Sequence, residues 1–231
     1  MADDQVEAPP DYLGHRARLK QRFLKSGADA LADYELIELL LFLAVPRRDV
    51  RPLAKALLKR LGSFAAVVNA PPGRIKEIDG LGDSAVIALR TAHAAAVHLL
   101  RSELKGRPVL GAWNKVIDYL EADMAWRTEE HVRVLYMNQK NVLIADELMH
   151  QGTVNQAAVY PREIAKRALE LRATAAILVH NHPSGDSTPS ATDVDLTRAV
   201  RDALKAVGVA LHDHIVVARD GTASLRDLGK L

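Results

Sequence analysis

The chain of 231 residues contains no cysteine. Disulfide bonds and thiolate chemistry are therefore excluded, and so are zinc sites built with cysteine ligands. The zinc-dependent nucleobase deaminases are excluded with them, because their signature requires a Pro-Cys-x-x-Cys element. Any zinc ion that this chain binds must be held by histidine, aspartate or glutamate.

Long apolar runs and a strong charge imbalance are also missing. The longest apolar run, Leu39 to Val45, is far shorter than the roughly 20 residues that a membrane span needs. Met1 to Pro10 is acidic and ends in proline, unlike a signal peptide. The formal net charge of +2 does not by itself indicate a polyanionic partner. These absences predict a cytoplasmic protein without a membrane partner.

The composition changes along the chain and predicts two folded domains. Residues 1–11 are acidic, carry two prolines and have almost nothing to bury, which predicts a disordered tail. Residues 12–105 are rich in alanine and leucine in a helical pattern. The pattern breaks over 102–114, which contains glycines and a proline, and 106–231 alternates strands with helices. The boundary is therefore predicted near residue 105.

The first domain is predicted to be entirely helical. A densely apolar helix is expected after Asp33, interpreted as its N-cap, and Pro46 should end it. Gly80-Leu81-Gly82 allows a tight turn between two helices and leaves amide groups open to an anion. It resembles the helix-hairpin-helix module, which grips DNA phosphates without reading bases. A plain connection between two helices remains the alternative.

Charge gives this DNA hypothesis partial support. The segment from Tyr12 to Arg60 is basic, whereas the whole chain is nearly neutral. Four of its basic residues alternate along the sequence and would spread around a helix, as on a solvated face: Arg16, Arg18, Lys20 and Arg22.

The second domain is predicted to have an α+β fold, with paired strands covered by helices. Strands are expected at 131–137 and 142–149, from Gly152 to Tyr160, in the apolar run that ends at His180, and at 210–218 and 222–225. Helices are expected at 115–124, 161–172 and 190–207.

His180 and His182 end an apolar strand, so strand alternation points both imidazoles to one face. Asp193 follows in the first turn of the next helix. Helical periodicity places it on the same stripe as the apolar residues Leu196, Val200, Leu204 and Val207. A buried carboxylate needs a partner, and a metal ion bound by the two histidines would provide one. Two nitrogens and one carboxylate, with a position left for water, are typical of catalytic zinc.

Other acids near the motif lack this argument. Asp195 falls on the polar face of the helix, and Asp186 lies in the loop. Ser190 and Asp193 also form a capping-box pattern, which would position Asp193 without requiring a metal.

The spacing His180-Asn181-His182-Pro183, then Ser190, then Asp193 resembles the signature of the JAMM (MPN+) zinc metallopeptidases. Further segments are similar to the bacterial RadC subfamily: Gly152-Thr153-Val154, Tyr160 to Ile164, and Asp213-His214-Ile215-Val216. The resemblance implies a helix-hairpin-helix-like helical domain followed by a JAB/MPN-type α/β sandwich, which is cytidine-deaminase-like.

The resemblance also implies a mechanism. His180, His182 and Asp193 would bind Zn²⁺ and leave the fourth position to a water. Ser190 would donate a hydrogen bond to the tetrahedral oxyanion. A glutamate near the start of an early strand would accept the proton of the water, and Glu130 matches that position.

Several alternatives stay open. A shift of one residue in the strand would exchange Glu130 for Glu129, and Glu147 on the partner strand is a further candidate. The expected substrate is a protein or peptide. The competing hypotheses are a DNA-associated protein that binds through its helical domain, and a metal-binding scaffold without turnover.

Overall fold

The computed structural model describes residues 14–104, 106–152 and 159–231. The chain forms two compact units that divide between Ala94 and Ala95, within a long helix. The expected tail, 1–11, lies outside the described residues, and the domain limits drawn from the sequence stay a prediction.

The first unit is helical, as predicted. Its helices are α1 (His15–Ser26), α2 (Asp33–Ala44), α3 (Arg51–Leu61), α4 (Phe64–Asn69), α5 (Pro72–Lys76) and the first part of α6 (Asp83–Glu103). Apolar faces of these helices meet in one core, to which α2 contributes Ile37 and Leu41 and α3 contributes Leu53 and Leu57. The dense leucine pattern of α2 is therefore explained by its burial within this unit.

The predicted start of α2 is wrong by one residue. Ala32 is the N-cap, and Asp33 is already the first helical residue. The side chain of Glu35 reaches back and accepts a hydrogen bond from the amide of Ala32 at 3.0 Å, which satisfies one of the free amides at this end. At the other end, α2 stops at Ala44, two residues before Pro46, as expected.

Gly80-Leu81-Gly82 connects α5 to α6. Gly80 has φ 92°, a left-handed conformation that favours glycine, and Leu81 is buried in the core of the unit. The amide of Leu81 donates to the carbonyl of Ile78 at 3.1 Å, which closes the turn. The tight turn is thus present, while its identity as a helix-hairpin-helix module stays a prediction.

The second unit has the mixed α+β structure that was predicted. Its elements are the end of α6, α7 (Trp113–Met124), β1 (Glu130–Met137), β2 (Leu143–Gly152), α8 (Pro161–Glu170), β3 (Ala175–Asn181), α9 (Ala191–Ala206), β4 (Ala210–Ala218) and β5 (Gly221–Ser224). The strands form one sheet in the order β2-β1-β3-β4-β5. Only the pair β3 and β4 is parallel among these neighbours, and α9 connects the two strands.

Both faces of the sheet are covered. Leu135 and Met137 of β1 pack on one face with residues of α7, whereas Val134 and Tyr136 pack on the other face with residues of α8 and α9. This explains why β3 is buried along its whole length rather than alternating between apolar and polar residues. The strand expected from Gly152 to Tyr160 falls mostly on 153–158, outside the described residues; Gly152 itself ends β2.

Among the helices that the structure describes, none is long and apolar enough to cross a membrane. The cytoplasmic location stays a prediction.

Candidate metal centre

The parallel arrangement of β3 and β4 brings the two parts of the predicted motif together. In such a unit the strand end and the start of the following helix meet at one edge of the sheet, where α/β proteins commonly bind ligands. His180 is the second-last residue of β3, and its side chain is buried, with the residue 1% exposed. His182 is the first residue after β3, and its amide donates to the carbonyl of Val217 on β4 at 2.9 Å. Both histidines are therefore held by the sheet.

Asp193 enters from the first turn of α9. Ser190 is the N-cap: its Oγ accepts from the amide of Asp193 at 3.2 Å, and Asp193 Oδ2 accepts from both the amide and the hydroxyl of Ser190 at 2.7 Å. The predicted capping box is present. The predicted phase of α9 is also confirmed, because Asp193 is buried with Val200 and Leu204, whereas Asp195 is exposed.

Potential ligand atoms of three residues converge at this edge. His180 Nε2 lies 2.9 Å from His182 Nε2 and 3.1 Å from Asp193 Oδ1. His182 Nε2 lies 3.4 Å from Asp193 Oδ2. An ion bound tetrahedrally at roughly 2.0–2.1 Å, as zinc is, holds its ligand atoms about 3.3 Å apart. The spacing of this cluster fits such an ion, and the three residues could hold it.

The hydrogen bonds behind the ligands support the same conclusion. His182 Nδ1 lies 2.8 Å from the carbonyl oxygen of Asp186, which can only accept, so Nδ1 carries the proton and Nε2 presents a lone pair when the ring is neutral. His180 Nδ1 meets Nε2 of His214 at 2.7 Å. Because Nδ1 of each ring meets a partner outside the cluster, the two Nε2 atoms are left facing each other at 2.9 Å, where a metal ion could bind both.

The electrostatics of the cluster follow from burial and proximity. Burial by itself would raise the pKa of the Asp193 carboxyl, but the adjacent His180 and His182 hold that pKa far below its usual range. The carboxylate of Asp193 raises the pKa of His182 against the opposing effect of burial, and the charge of Glu130 adds to the rise. Burial keeps the pKa of His214 well below its ordinary value. A permanent negative charge therefore faces the imidazoles at neutral pH.

Glu130 begins β1 on the same face of the sheet as His180. Val132 of β1 is paired with His180, and residues two apart on a strand share a face. The side chain of Glu130 is half-buried, and its charge acts on His182. These observations place Glu130 beside the cluster.

The other two glutamates are engaged elsewhere. Glu129 is exposed, and its carboxylate accepts from Gln151 Nε2 at 2.9 Å. Glu147 accepts from the guanidinium of Arg167 at 2.7 and 2.8 Å.

Two residues that contact the site were missed by the sequence analysis. Asn181 is fully buried, and its Oδ1 accepts from the amide of His131 at 2.9 Å while its Nδ2 donates to the carbonyl of Glu129 at 3.1 Å. These are the peptide groups on either side of Glu130. The middle residue of the His-x-His motif therefore fixes the backbone of Glu130 relative to the histidines.

His214 is the second missed residue. Its amide donates to Asp213 Oδ1 at 2.7 Å. Its ring, however, is fully buried between His180 and Thr197 of α9. The signal that could have found His214 is its position as a polar residue directly before the apolar run of β4, where a buried side chain needs a hydrogen-bond partner.

A protein-family model described as "RadC-like JAB domain" matches residues 110–230. The match covers more than half of the chain. It includes the whole sheet and every residue of the cluster.

Proposed function

Because the chain belongs to the RadC family of proteins with a JAB domain, we propose that it is a zinc-dependent hydrolase of the JAMM type that cleaves peptide or isopeptide bonds. The convergence of two histidine nitrogens and one carboxylate at spacings that suit tetrahedral zinc carries this proposal. Three protein ligands leave a fourth position for water, as in catalytic rather than structural zinc sites.

Bound Zn²⁺ would supply Lewis acidity and would lower the pKa of a water towards neutrality. His180, His182 and Asp193 would hold the ion. Glu130, on the same face as His180, accepts the proton of the attacking water and delivers it to the nitrogen of the leaving amine.

Ser190 is proposed to stabilise the oxyanion that forms on the substrate carbonyl. Ser190 is an exposed residue, and its hydroxyl donates to Asp193 Oδ2 at 2.7 Å, so the hydroxyl must rotate to donate to a substrate oxygen instead. The cap position on α9 keeps Ser190 beside Asp193 during this rotation.

The first test is metal content. The purified chain is expected to hold about one equivalent of zinc, and His180→Ala or Asp193→Ala should lose it. Zinc content that stays unchanged in both variants would remove the site.

The second test separates turnover from binding. Incubation with a peptide library, followed by mass spectrometry, should show zinc-dependent cleavage that Glu130→Gln abolishes while zinc is retained. Glu129→Gln is the matched control, because the same change at the neighbouring exposed residue should leave cleavage intact. Cleavage that survives Glu130→Gln would move the proton transfer to another residue, and zinc without any cleavage would favour a metal-binding scaffold.

A second candidate function is DNA binding through the first unit. The guanidinium of Arg48 lies against Gly80 of the helical turn, so closely that a Cβ on Gly80 would come within 2.1 Å of its Nη1. A cation beside a tight turn between two helices suits a phosphate.

Fluorescence anisotropy with duplex DNA tests this second candidate. Affinity should fall as salt is raised and should weaken in Arg48→Gln, with Lys205→Gln, at an exposed lysine of the second unit, as control. Binding that is absent, or independent of salt, would exclude it.

A further inference from the structure

We propose that His214 and Thr197 are positioning residues that keep the proton of His180 on Nδ1, so that Nε2 of His180 offers its lone pair to the metal. The inference concerns the metal-binding step of the function proposed above and rests on that metal site. It follows from the direction of three consecutive hydrogen bonds.

The first hydrogen bond fixes the proton of Thr197. Its Oγ1 lies 2.5 Å from the backbone carbonyl oxygen of Asp193, one helical turn earlier in α9. A carbonyl oxygen only accepts, so the hydroxyl donates to it. The single proton of Thr197 is thereby used.

The second hydrogen bond fixes the tautomer of His214. Its Nδ1 lies 2.5 Å from Thr197 Oγ1. Since the hydroxyl has no further proton to give, Nδ1 of His214 must donate. The partners of the two ring nitrogens are Thr197 and His180, and neither is a carboxylate, so this fully buried ring carries a single proton.

The third hydrogen bond fixes the tautomer of His180. Nε2 of His214 is now an acceptor, and it lies 2.7 Å from Nδ1 of His180. His180 must therefore donate from Nδ1, which leaves Nε2 bare at 3.1 Å from Asp193 Oδ1. The hydrogen-bond chain starts at the backbone of one metal ligand, Asp193, and ends at the ring of another.

The reverse direction would disfavour a metal, because the proton on Nε2 of His180 would have to leave before the ion could bind. A proton on Nε2 of His180 would lie between that nitrogen and the Asp193 carboxylate, as an ordinary hydrogen bond. The apolar surroundings alone do not choose between the two tautomers. The tautomer is determined by the hydroxyl of Thr197, because that hydroxyl donates its proton to the carbonyl of Asp193 and can only accept from His214.

Zinc affinity of the metal-free full chain, measured by competition with a chromophoric chelator, tests the proposal. Thr197→Val keeps the volume of the side chain but removes the hydroxyl, and we expect Zn²⁺ to bind about 10- to 100-fold more weakly. Thr197→Ser restores the hydroxyl and should bind as the wild type does. Thr174→Val makes the same change at an exposed residue directly before β3, six residues from His180, and should have no effect. Unchanged affinity in Thr197→Val, or equal loss in Thr197→Ser, would overturn the proposal.

A second measurement does not depend on how the variants fold. Long-range ¹H–¹⁵N correlation spectra of histidine-labelled, metal-free wild type should show His214 and His180 protonated on Nδ1. A proton on Nε2 of His214 would refute the assignment. Neither zinc nor a substrate is needed for this spectrum, so a protein that binds zinc and cleaves nothing would end the proposed hydrolase function and leave this inference intact.

Discussion

Each unit of the molecule buries a carboxylate against a histidine, and the two arrangements differ in where the proton lies. In the first unit, Glu38 Oε2 is 2.7 Å from His15 Nε2, and the guanidinium of Arg51 is 2.6 Å from His15 Nδ1. Arginine only donates, so His15 carries its proton on Nε2, facing the carboxylate. In the second unit, the hydrogen bonds direct the proton of His180 to Nδ1, away from Asp193.

The two clusters differ in whether a permanent positive charge lies near the buried carboxylate. Glu38 has a permanent cation nearby, with Arg51 Nε 4.0 Å from its Oε1, although that buried oxygen accepts no hydrogen bond from the described residues. Asp193 faces two imidazole nitrogens that present lone pairs. The first cluster contains a cation of the chain itself, the guanidinium of Arg51, whereas the second lacks a permanent positive charge, which a metal ion would supply.

The largest expected effect breaks the first cluster. Glu38→Gln keeps the shape of the side chain but leaves Arg51 and His15 without a buried acid, and should lower the free energy of unfolding by about 3–5 kcal/mol. Urea denaturation with and without zinc measures it. Asp79→Asn, at an exposed acid of the same unit, should cost under about 0.5 kcal/mol. If zinc restored the free energy of unfolding that Glu38→Gln loses, the ion would be acting at the first cluster, which would contradict the assignment of metal binding to the second cluster alone.

Metal addition tests the second cluster. At free zinc about 100-fold above Kd, the free energy of unfolding should rise by about 2.7 kcal/mol, because zinc binds the folded site and not the unfolded chain. A chelator should remove this increment. Asp193→Asn should abolish it, whereas Glu38→Gln should keep it despite its lower stability. Equal responses of the two variants to zinc would show that the ion binds elsewhere.

Sequence periodicity found the parts of the site that depend on local structure. His180 and His182 follow from strand alternation, and Asp193 from the phase of α9, since both patterns extend over a few residues. The choice of Glu130 over Glu129 depends on which residue of β1 is paired with His180, and strand register is a long-range property. Asn181 and His214 act through hydrogen bonds between residues 50 and 34 positions apart, which no local pattern encodes.

Asn181 offers a smaller and more selective perturbation. Asn181→Ala leaves the amide of His131 and the carbonyl of Glu129 without their buried partner, which should cost about 1–3 kcal/mol of stability. The three proposed metal ligands are untouched, so zinc affinity should change little while any zinc-dependent cleavage falls. Denaturation and chelator competition on the same samples measure both quantities. Loss of zinc affinity equal to that of Asp193→Asn would show that Asn181 supports the ligands rather than Glu130.

The smallest effect is expected at Glu147, which shares the charge pairing of Glu38 without its burial. Glu147 accepts from Arg167, and both side chains are partly exposed to solvent, so Glu147→Gln should cost about 0.2–1 kcal/mol. Hydrogen bonds from Arg167 lower the pKa of Glu147, so this contribution exists at neutral pH and disappears as pH falls through the range where the carboxyl is protonated. Denaturation at pH 7 and at pH 3 should show the difference between wild type and variant shrinking at the lower pH. A loss as large as that of Glu38→Gln would mean that burial does not decide how strongly an arginine–carboxylate pair stabilises this fold.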